Sequence, residues 1–134
     1  MTLKKEDRQA LIKYRIECAN NSTEDALYLI KGDKLIAAVN RIYYAIFYIL
    51  TALSIKHQFK TSKHQRLIGW FNKTFIKEKI IDEKYSQIVR DAFKKRTVGD
   101  YGEFIEFEKE EVLTLFEDMK EFVDVIERLI LSEE

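Results

Sequence analysis

The sequence predicts an all-α fold, an up-and-down antiparallel bundle of four to five helices. Its 134 residues include no proline and only four glycines, whereas β-sandwiches and barrels use both residues in their many turns. Apolar residues recur at three- and four-residue steps, which is the helical period. No linker, repeat or low-complexity stretch divides the chain, so residues 1–134 are expected to form a single helical domain.

The first helix is predicted from about Lys5 to Lys31, because one apolar stripe continues across Ser22. Residues 20–23 are poor helix formers, so a break with a restart capped by Ser22 and Asp25 is the alternative, and continuity is favoured. Gly32 is expected in the left-handed position that ends this helix. So short a link predicts that the next helix runs antiparallel to the first.

The second helix is predicted from Lys34, capped by Asp33, to about Lys56. It is apolar on nearly every side, which is typical of the central and most buried helix of a bundle. A third helix is predicted to open at Ser62, which forms a capping box with Gln65. Its inner face carries Leu67, Phe71 and Phe75, and Gly69 is expected to mark a close approach of another backbone.

The fourth helix is predicted to be capped by Asp82 and to place Arg96 on or beside its inward stripe, where an arginine needs a partner. Residues 99–102 contain the only closely spaced pair of glycines, so a loop is predicted there. A long final helix containing Val112 to Ile130 follows an acidic first turn with Glu106, Glu108, Glu110 and Glu111.

Composition restricts the classes of function. The chain has 23 basic and 23 acidic residues and a formal net charge of zero, so it lacks the broad positive field of a nucleic-acid coat protein. Any nucleic-acid contact must be local. Cys18 is the only cysteine, which fits a reducing cytoplasm. The basic and acidic start lacks the apolar stretch of a signal peptide, and residues 42–50 are too short to span a bilayer, so a cytoplasmic protein with no membrane contact is expected.

Few residue patterns indicate chemistry. His57 and His64 have no accompanying cysteine or histidine cluster, so neither a metal site nor a cofactor is predicted. His64 is either a structural residue at a helix start or a site residue. Charged pairs at helical spacing are usually solvated faces, so a two-carboxylate hydrolase is not supported. The sequence also has no phosphate-binding glycine loop and no nucleophile elbow.

The central helix carries polar residues where aliphatic ones are expected. Asn40 and Arg41 stand among apolar neighbours, and buried polar groups need partners. Asn40 either satisfies a neighbouring helix end or orients Arg96. The clustered tyrosines 43, 44 and 48 are typical of a core or of a surface that binds a partner or a second copy.

Three blocks of the chain, residues 37–48, residues 62–64 leading into 71–77, and residues 96–101, resemble HEPN domains (higher eukaryotes and prokaryotes nucleotide-binding). Residues 37–48, AAVNRIYYAIFY, resemble the second-helix signature. Residues 62–64 leading into 71–77, and residues 96–101, RTVGDY, are similar to the Lys-His and Arg-Asp-Tyr blocks of a small prokaryotic branch. The resemblance covers nearly the whole chain, and the three blocks occur in the family's order.

The resemblance implies a helical homodimer that is often paired with a minimal nucleotidyltransferase in a toxin–antitoxin-like system. Many members are metal-independent RNases whose motif is an arginine followed, after four to six residues, by a histidine. Arg96 matches that arginine, whereas Tyr101 stands where the histidine is expected. In some of these toxins the partner adenylylates a tyrosine two residues beyond the histidine, and here that position is Glu103, which leaves Tyr101 as a displaced acceptor.

The sequence therefore predicts a HEPN-type protein that binds a nucleotide or an RNA phosphate around Arg96, Asp100 and Tyr101. Asn40, Lys63 and His64 are predicted to complete this site. The first alternative is a metal-independent endoribonuclease in which Arg96 holds the phosphate and Tyr101 or His64 moves the proton. The second alternative is a purely structural bundle in which Arg96 and Asp100 fix a loop against the helices.

Overall fold

A computed structural model describes residues 3–132, and the described chain is an all-α bundle. The helices are α1 (Lys5–Lys31), α2 (Leu35–Lys56), α3 (His64–Phe71), α4 (Glu83–Tyr101) and α5 (Lys109–Ser132), with a π-helical turn at Asn72–Ile76. Helix α2 packs against α1, α4 and α5, while α5 also contacts α1 and α4. The predicted helical bundle is confirmed, and α1 is continuous, as favoured from its apolar stripe.

Helix α2 forms the centre of the core. Its buried side chains include Val39, Ile42, Ile46, Ile49 and Leu53, all with essentially no exposed surface. By length and composition alone, this helix is apolar enough to cross a membrane. The sequence argument considered only residues 42–50, which are a part of the apolar segment. Half of its 18-residue apolar window is buried inside the bundle, as in the core helix of a water-soluble protein.

The link between α1 and α2 differs from the prediction. Gly32 has an ordinary φ of −89°, and the left-handed position is taken by Asp33 at φ 58°. The backbone N–H of Asp33 donates to the Ile30 carbonyl and that of Lys34 to the Leu29 carbonyl, which closes the end of α1. Asp33 does not cap α2, because its carboxylate instead pairs with Lys109 of α5 at 3.1 Å.

The start of α3 also differs. The helix begins at His64 after Lys63, and no side chain caps it, so the predicted Ser62 capping box is wrong. Thr61 accepts a hydrogen bond from the Lys63 backbone N–H, which shapes the chain before the helix. The prediction for Gly69 is also wrong, since no atom of another segment lies within 4 Å of where a Cβ would stand.

Helix α4 runs further than the glycines suggested. Asp82 caps it through the Lys84 N–H at 2.8 Å, as predicted, but the helix continues to Tyr101. Gly99 is therefore helical, and a Cβ on it would stand only 3.1 Å from the Phe107 ring. The loop predicted at residues 99–102 is therefore wrong for residues 99–101, which are helical. The helix places Asp100 one turn after Arg96, on the same face.

The last helix begins at Lys109, so only Glu110 and Glu111 of the four predicted acidic residues lie in its first turn. Glu111 accepts a hydrogen bond from the Glu108 backbone N–H at 3.2 Å. This contact satisfies one of the donors that precede a helix.

Candidate functional site

Arg96 is held by a polar network between α2 and α4. Its Nε lies 3.0 Å from Asp100 Oδ2, and its side chain is only 16% exposed. Asn40 Nδ2 donates to the same Asp100 oxygen at 3.0 Å. The Asn40 carbonyl oxygen accepts in turn from Arg41 Nε and Nη2, at 3.1 and 2.8 Å. Asn40 thus binds the carboxylate that faces Arg96, and the orienting role stays one of the two predictions for Asn40.

Aromatic rings surround the other side of this guanidinium. Arg96 Nη2 donates to the Tyr44 hydroxyl at 3.2 Å. The Arg96 Cζ lies 5.3 Å from the centre of the Tyr43 ring, 5.5 Å from that of Tyr44 and 5.9 Å from that of Tyr101. Cation–π contacts of this kind stabilise a partly desolvated charge. Arg96 therefore has a fixed position, although its buried Nε, which is paired in charge with Asp100, makes no hydrogen bond within residues 3–132.

His64 reaches the same place from α3. Its Nδ1 lies 2.7 Å from the Tyr43 hydroxyl, and its ring stacks on Phe47 with the centres 3.9 Å apart. Burial raises the pKa of Tyr43 well above that of a free phenol, so the hydroxyl keeps its proton. These contacts fix the ring and leave Nε2 as the nitrogen that can bind another group.

An open cleft of about 610 Å³ lies between α2, α3 and α4. Three of its lining side chains are cationic and none is a carboxylate; the lining residues are Tyr44, Lys63, His64, Gln65, Arg66, Phe93 and Arg96. A concave surface with several positive charges raises the local concentration of anions. The cleft is therefore suited to an anionic ligand with an aromatic or apolar part.

The predicted site residues occupy different places around this cleft. Lys63, His64 and Arg96 line it, whereas Asn40 and Asp100 lie behind Arg96 and hold it. Tyr101 stands at the outer side of Arg96 and is 74% exposed. It follows that Tyr101 is accessible but is not part of the cleft lining.

Sequence reasoning missed Arg66 and Phe93, and it assigned Tyr43 and Tyr44 to the core or to a partner surface. Tyr43 is indeed buried, but it also holds His64, and Tyr44 both lines the cleft and binds Arg96. The signal for Arg66 was available, because three of the residues from 63 to 66 carry basic or imidazole side chains at a helix start. No such signal connected Phe93 to α3.

The structure indicates how His64 responds to pH. Its pKa is lowered, first by burial and then by the positive charge of Arg96. We expect an NMR titration to give a pKa below the usual 6.5, and the variant Arg96→Gln to raise it, because one of the two causes is removed. Protonated His64 adds a positive charge to the cleft, so the affinity for an anionic ligand should increase as pH falls through the lowered pKa of His64. An unchanged His64 pKa in Arg96→Gln would contradict the described proximity.

Within residues 3–132, no group of three or more His, Cys, Asp or Glu side chains is placed to hold a metal ion. Among the residues that line the cleft, the polar side-chain groups include those of arginine, lysine, histidine and tyrosine.

Comparisons with known proteins found a matching family and several relatives. Residues 12–129 match the HEPN domain family. The chain is 36% identical over 124 residues to the "UPF0332 protein" of Thermotoga maritima, covering 92% of this chain and 94% of that protein. It is 31% identical to two proteins of Methanocaldococcus jannaschii, "Putative toxin MJ0142" and "Putative toxin MJ0605". Those alignments cover 87% and 94% of this chain, and 80% and 90% of the relatives.

Proposed function

The chain belongs to the HEPN domain family, and from this premise we propose that it binds a nucleotide or an RNA phosphate in the cleft at Arg96, as the HEPN component of a toxin–antitoxin-like pair. Two relatives, each 31% identical to this chain over the aligned residues, carry the word "toxin" in the names quoted above. These names support the toxin–antitoxin part of the proposal. The cationic cleft supports the part that concerns a nucleotide or RNA phosphate as ligand.

The observation that carries this proposal is a fixed arginine in a cleft whose lining contains no carboxylate. Arg96 is only 16% exposed and is positioned by Asp100, which leaves part of the guanidinium for a ligand. Lys63, which precedes α3, and Arg66, in its first turn, add two further cations. A phosphate group gains both hydrogen bonds and ionic attraction from such a set, whereas a neutral ligand gains hydrogen bonds alone.

Replacing Arg96 tests the proposal directly. We expect Arg96→Ala to weaken binding of a uridine dinucleotide by about 10- to 100-fold, because hydrogen bonds to charged groups contribute about 1.5–3 kcal/mol. Calorimetric titration at fixed salt measures this. The matched control is Arg90→Ala, which removes an exposed arginine of the same helix whose recorded contact is with Gln87 and which does not line the cleft.

The purely structural alternative makes the opposite prediction. If Arg96 and Asp100 only stabilise the helices, Arg96→Ala lowers the melting temperature and wild-type protein binds neither nucleotide nor RNA. Equal binding by wild type and by folded Arg96→Ala would likewise exclude the assigned site.

A protein partner is part of the proposal. Phe104 is fully exposed and has a φ of 55°, which is strained backbone for an aromatic residue, and it follows the exposed Tyr101. Exposed aromatic side chains on a strained loop are typical of surfaces that bind another protein. We propose that this partner is a minimal nucleotidyltransferase, that the chain acts as a homodimer, and that both work in the cytoplasm.

The neighbouring reading frames test this partner. A frame that encodes a minimal nucleotidyltransferase should yield a co-purifying complex, and Phe104→Asp should weaken it while Tyr28→Asp, at another exposed aromatic residue, should not. Light scattering of the chain alone tests the dimer. Neighbouring frames that encode no nucleotidyltransferase would contradict the proposed partner. A chain that stays monomeric at all concentrations would contradict the proposed homodimer.

The geometry of His64 favours a second candidate, a metal-independent endoribonuclease. His64 and Arg96 line the same cleft, so a phosphate on Arg96 has an imidazole nearby. In such a reaction the 2′-oxygen attacks phosphorus while His64 accepts its proton, the bond to the 5′-oxygen breaks, and that oxygen takes up a proton. Tyr101 is the alternative proton-transfer group because its ring lies beside Arg96.

Cleavage in the presence of EDTA tests this candidate. We expect His64→Ala to reduce cutting by about 100-fold or more if His64 transfers the proton, since general acid–base groups contribute about 10²–10⁴-fold. The variant Tyr101→Phe tests whether Tyr101 transfers the proton instead. Purified chain that binds RNA but never cuts it would exclude the nuclease and leave the binding function intact.

A further inference from the structure

The segment that contains α3 carries a local excess of positive charge. Residues 60–79 include six lysine or arginine residues and one acidic residue, Glu78, although the charge of the whole chain is balanced. The six basic residues are Lys60, Lys63, Arg66, Lys73, Lys77 and Lys79. All six are exposed, and none of them forms an ion pair within residues 3–132. Their charge is therefore available to an anionic partner.

Three of these side chains share one face of α3 and of the π-helical turn that continues it. The residues that this segment buries in the core are Leu67, Phe71 and Phe75. Arg66, Lys73 and Lys77 follow one another at steps of seven and four residues, which places them together on the opposite, solvent-facing side. We call these three residues the cationic stripe.

The cationic stripe is continuous with the cleft. Arg66 lines the cleft and so belongs to both surfaces. Gly69, between Arg66 and Lys73, is exposed, and no atom of another segment lies within 4 Å of the position of a Cβ. At about 1.5 Å per residue, Lys73 lies roughly 10 Å along the axis from Arg66, and Lys77 lies further out. A chain molecule that enters the cleft can therefore pass over Gly69 towards Lys73 and Lys77.

We infer that the cationic stripe binds the phosphates of an RNA strand that has another phosphate at Arg96. This inference rests on the proposed function and specifies its ligand, a single strand of several nucleotides rather than a free nucleotide. Proteins that bind single strands without sequence preference use positively charged surfaces that follow the backbone. A lysine ammonium group suits this role because it contacts a phosphate as a point charge. The stripe thus adds affinity without selecting a base sequence.

A protein with an acidic surface is the other occupant with suitable charge. Protein interfaces, however, are depleted in lysine and have an apolar centre. No large apolar side chain between residues 60 and 79 is exposed. The chemistry of the stripe therefore favours a phosphate backbone.

The experiment measures the salt dependence of binding by calorimetric titration with a uridine dinucleotide and a uridine octanucleotide. Each phosphate contact to a single strand contributes about 0.7 to the slope of log K against log salt concentration. We expect Lys73→Gln and Lys77→Gln each to reduce the octanucleotide slope by about 0.7, so that the loss of affinity is about fivefold greater at about 0.1 M than at about 1 M salt. Neither should change dinucleotide binding, because its one phosphodiester lies at Arg96.

The matched control is Lys13→Gln, which removes the same charge from an exposed lysine of α1. We expect its octanucleotide slope to equal that of wild type. Because all three variants replace exposed side chains, their melting temperatures should stay close to that of wild type.

The outcomes separate this inference from the proposed function. Unchanged octanucleotide slopes in both stripe variants, or an equal reduction in Lys13→Gln, would overturn the stripe, while loss of dinucleotide binding in Arg96→Ala would still support the cleft. Equal dinucleotide binding by wild type and Arg96→Ala would overturn the cleft, whatever the stripe variants show. A wild-type dimer that Lys73→Gln dissociates, with unchanged slopes, would identify the stripe as a protein interface instead.

Discussion

Tyr43→Ala is expected to lower the free energy of unfolding by about 3–5 kcal/mol, which is the usual cost of truncating a buried aromatic residue. Tyr43 is 1% exposed and touches the rings of Tyr44, Phe47 and Phe93. Removing its ring leaves a cavity between α2 and α4 that these neighbours fill only in part. Urea denaturation, with an unchanged slope, measures the loss.

Tyr43→Phe separates packing from hydrogen bonding. The phenylalanine keeps the ring beside Arg96 but removes the hydroxyl that contacts His64 Nδ1. We expect a loss of only about 1 kcal/mol, the net contribution of one hydrogen bond. Tyr28→Ala is the control, because Tyr28 is 77% exposed, and its loss should stay within about 0.5 kcal/mol. A Tyr43→Ala protein as stable as wild type would contradict the described core.

The functional consequence of Tyr43→Phe differs from its small effect on stability. His64 would keep its stacking on Phe47 but lose the partner that fixes its Nδ1. We expect phosphate binding through Arg96 to persist, while any His64-dependent cleavage falls. Tyr43 thus couples the core to the cleft, as its position between α3 and Arg96 implies.

The sequence was a good guide to the helices because their stability depends on local patterns. The apolar stripe across Ser22 correctly favoured one continuous α1, and Asp82 correctly predicted the start of α4. The errors occurred at helix ends and glycines, where a residue was assigned a role by its usual local preference: Gly32, Asp33, Ser62, Gly69 and Gly99. Gly99 is helical and packs against Phe107 and Ile36. That contact joins distant parts of the chain, and periodicity within one segment contains no information about it.

The candidate site was predictable only in part for the same reason. Arg96 was identified from its place on the inward stripe of α4, and Asn40 from its polar character in an apolar helix. His64 was left open between a structural and a site role, and it joined Lys63 in the site through the family resemblance, because nothing local to α3 indicates that it lies near Arg96. The role of Tyr43 depends on a contact between residues 21 positions apart, and a buried tyrosine has the same sequence pattern whether or not its hydroxyl holds a histidine.

Gly102→Ala is expected to lower the free energy of unfolding by about 1–3 kcal/mol, as overpacking typically does. A Cβ at Gly102 would stand 2.6 Å from the Val98 carbonyl oxygen and 2.7 Å from Ile105 Cγ1. The backbone of Gly102 has φ −79° and ψ 164°, which other residues also adopt, so the cost is steric. The Val98 oxygen also accepts the Gly102 N–H at 2.8 Å, and moving it away would weaken the bond that ends α4.

Gly69→Ala is the matched control, with an effect of opposite sign. Gly69 is exposed within α3 and no atom of another segment lies within 4 Å of its missing Cβ, so alanine should stabilise the protein by up to about 1 kcal/mol through helix propensity. Urea denaturation of the two variants tests both signs. A Gly102→Ala protein as stable as Gly69→Ala would contradict the close packing at the end of α4. Because α4 also carries Arg96 and Asp100, a loosened end should weaken phosphate binding in Gly102→Ala and leave it unchanged in Gly69→Ala.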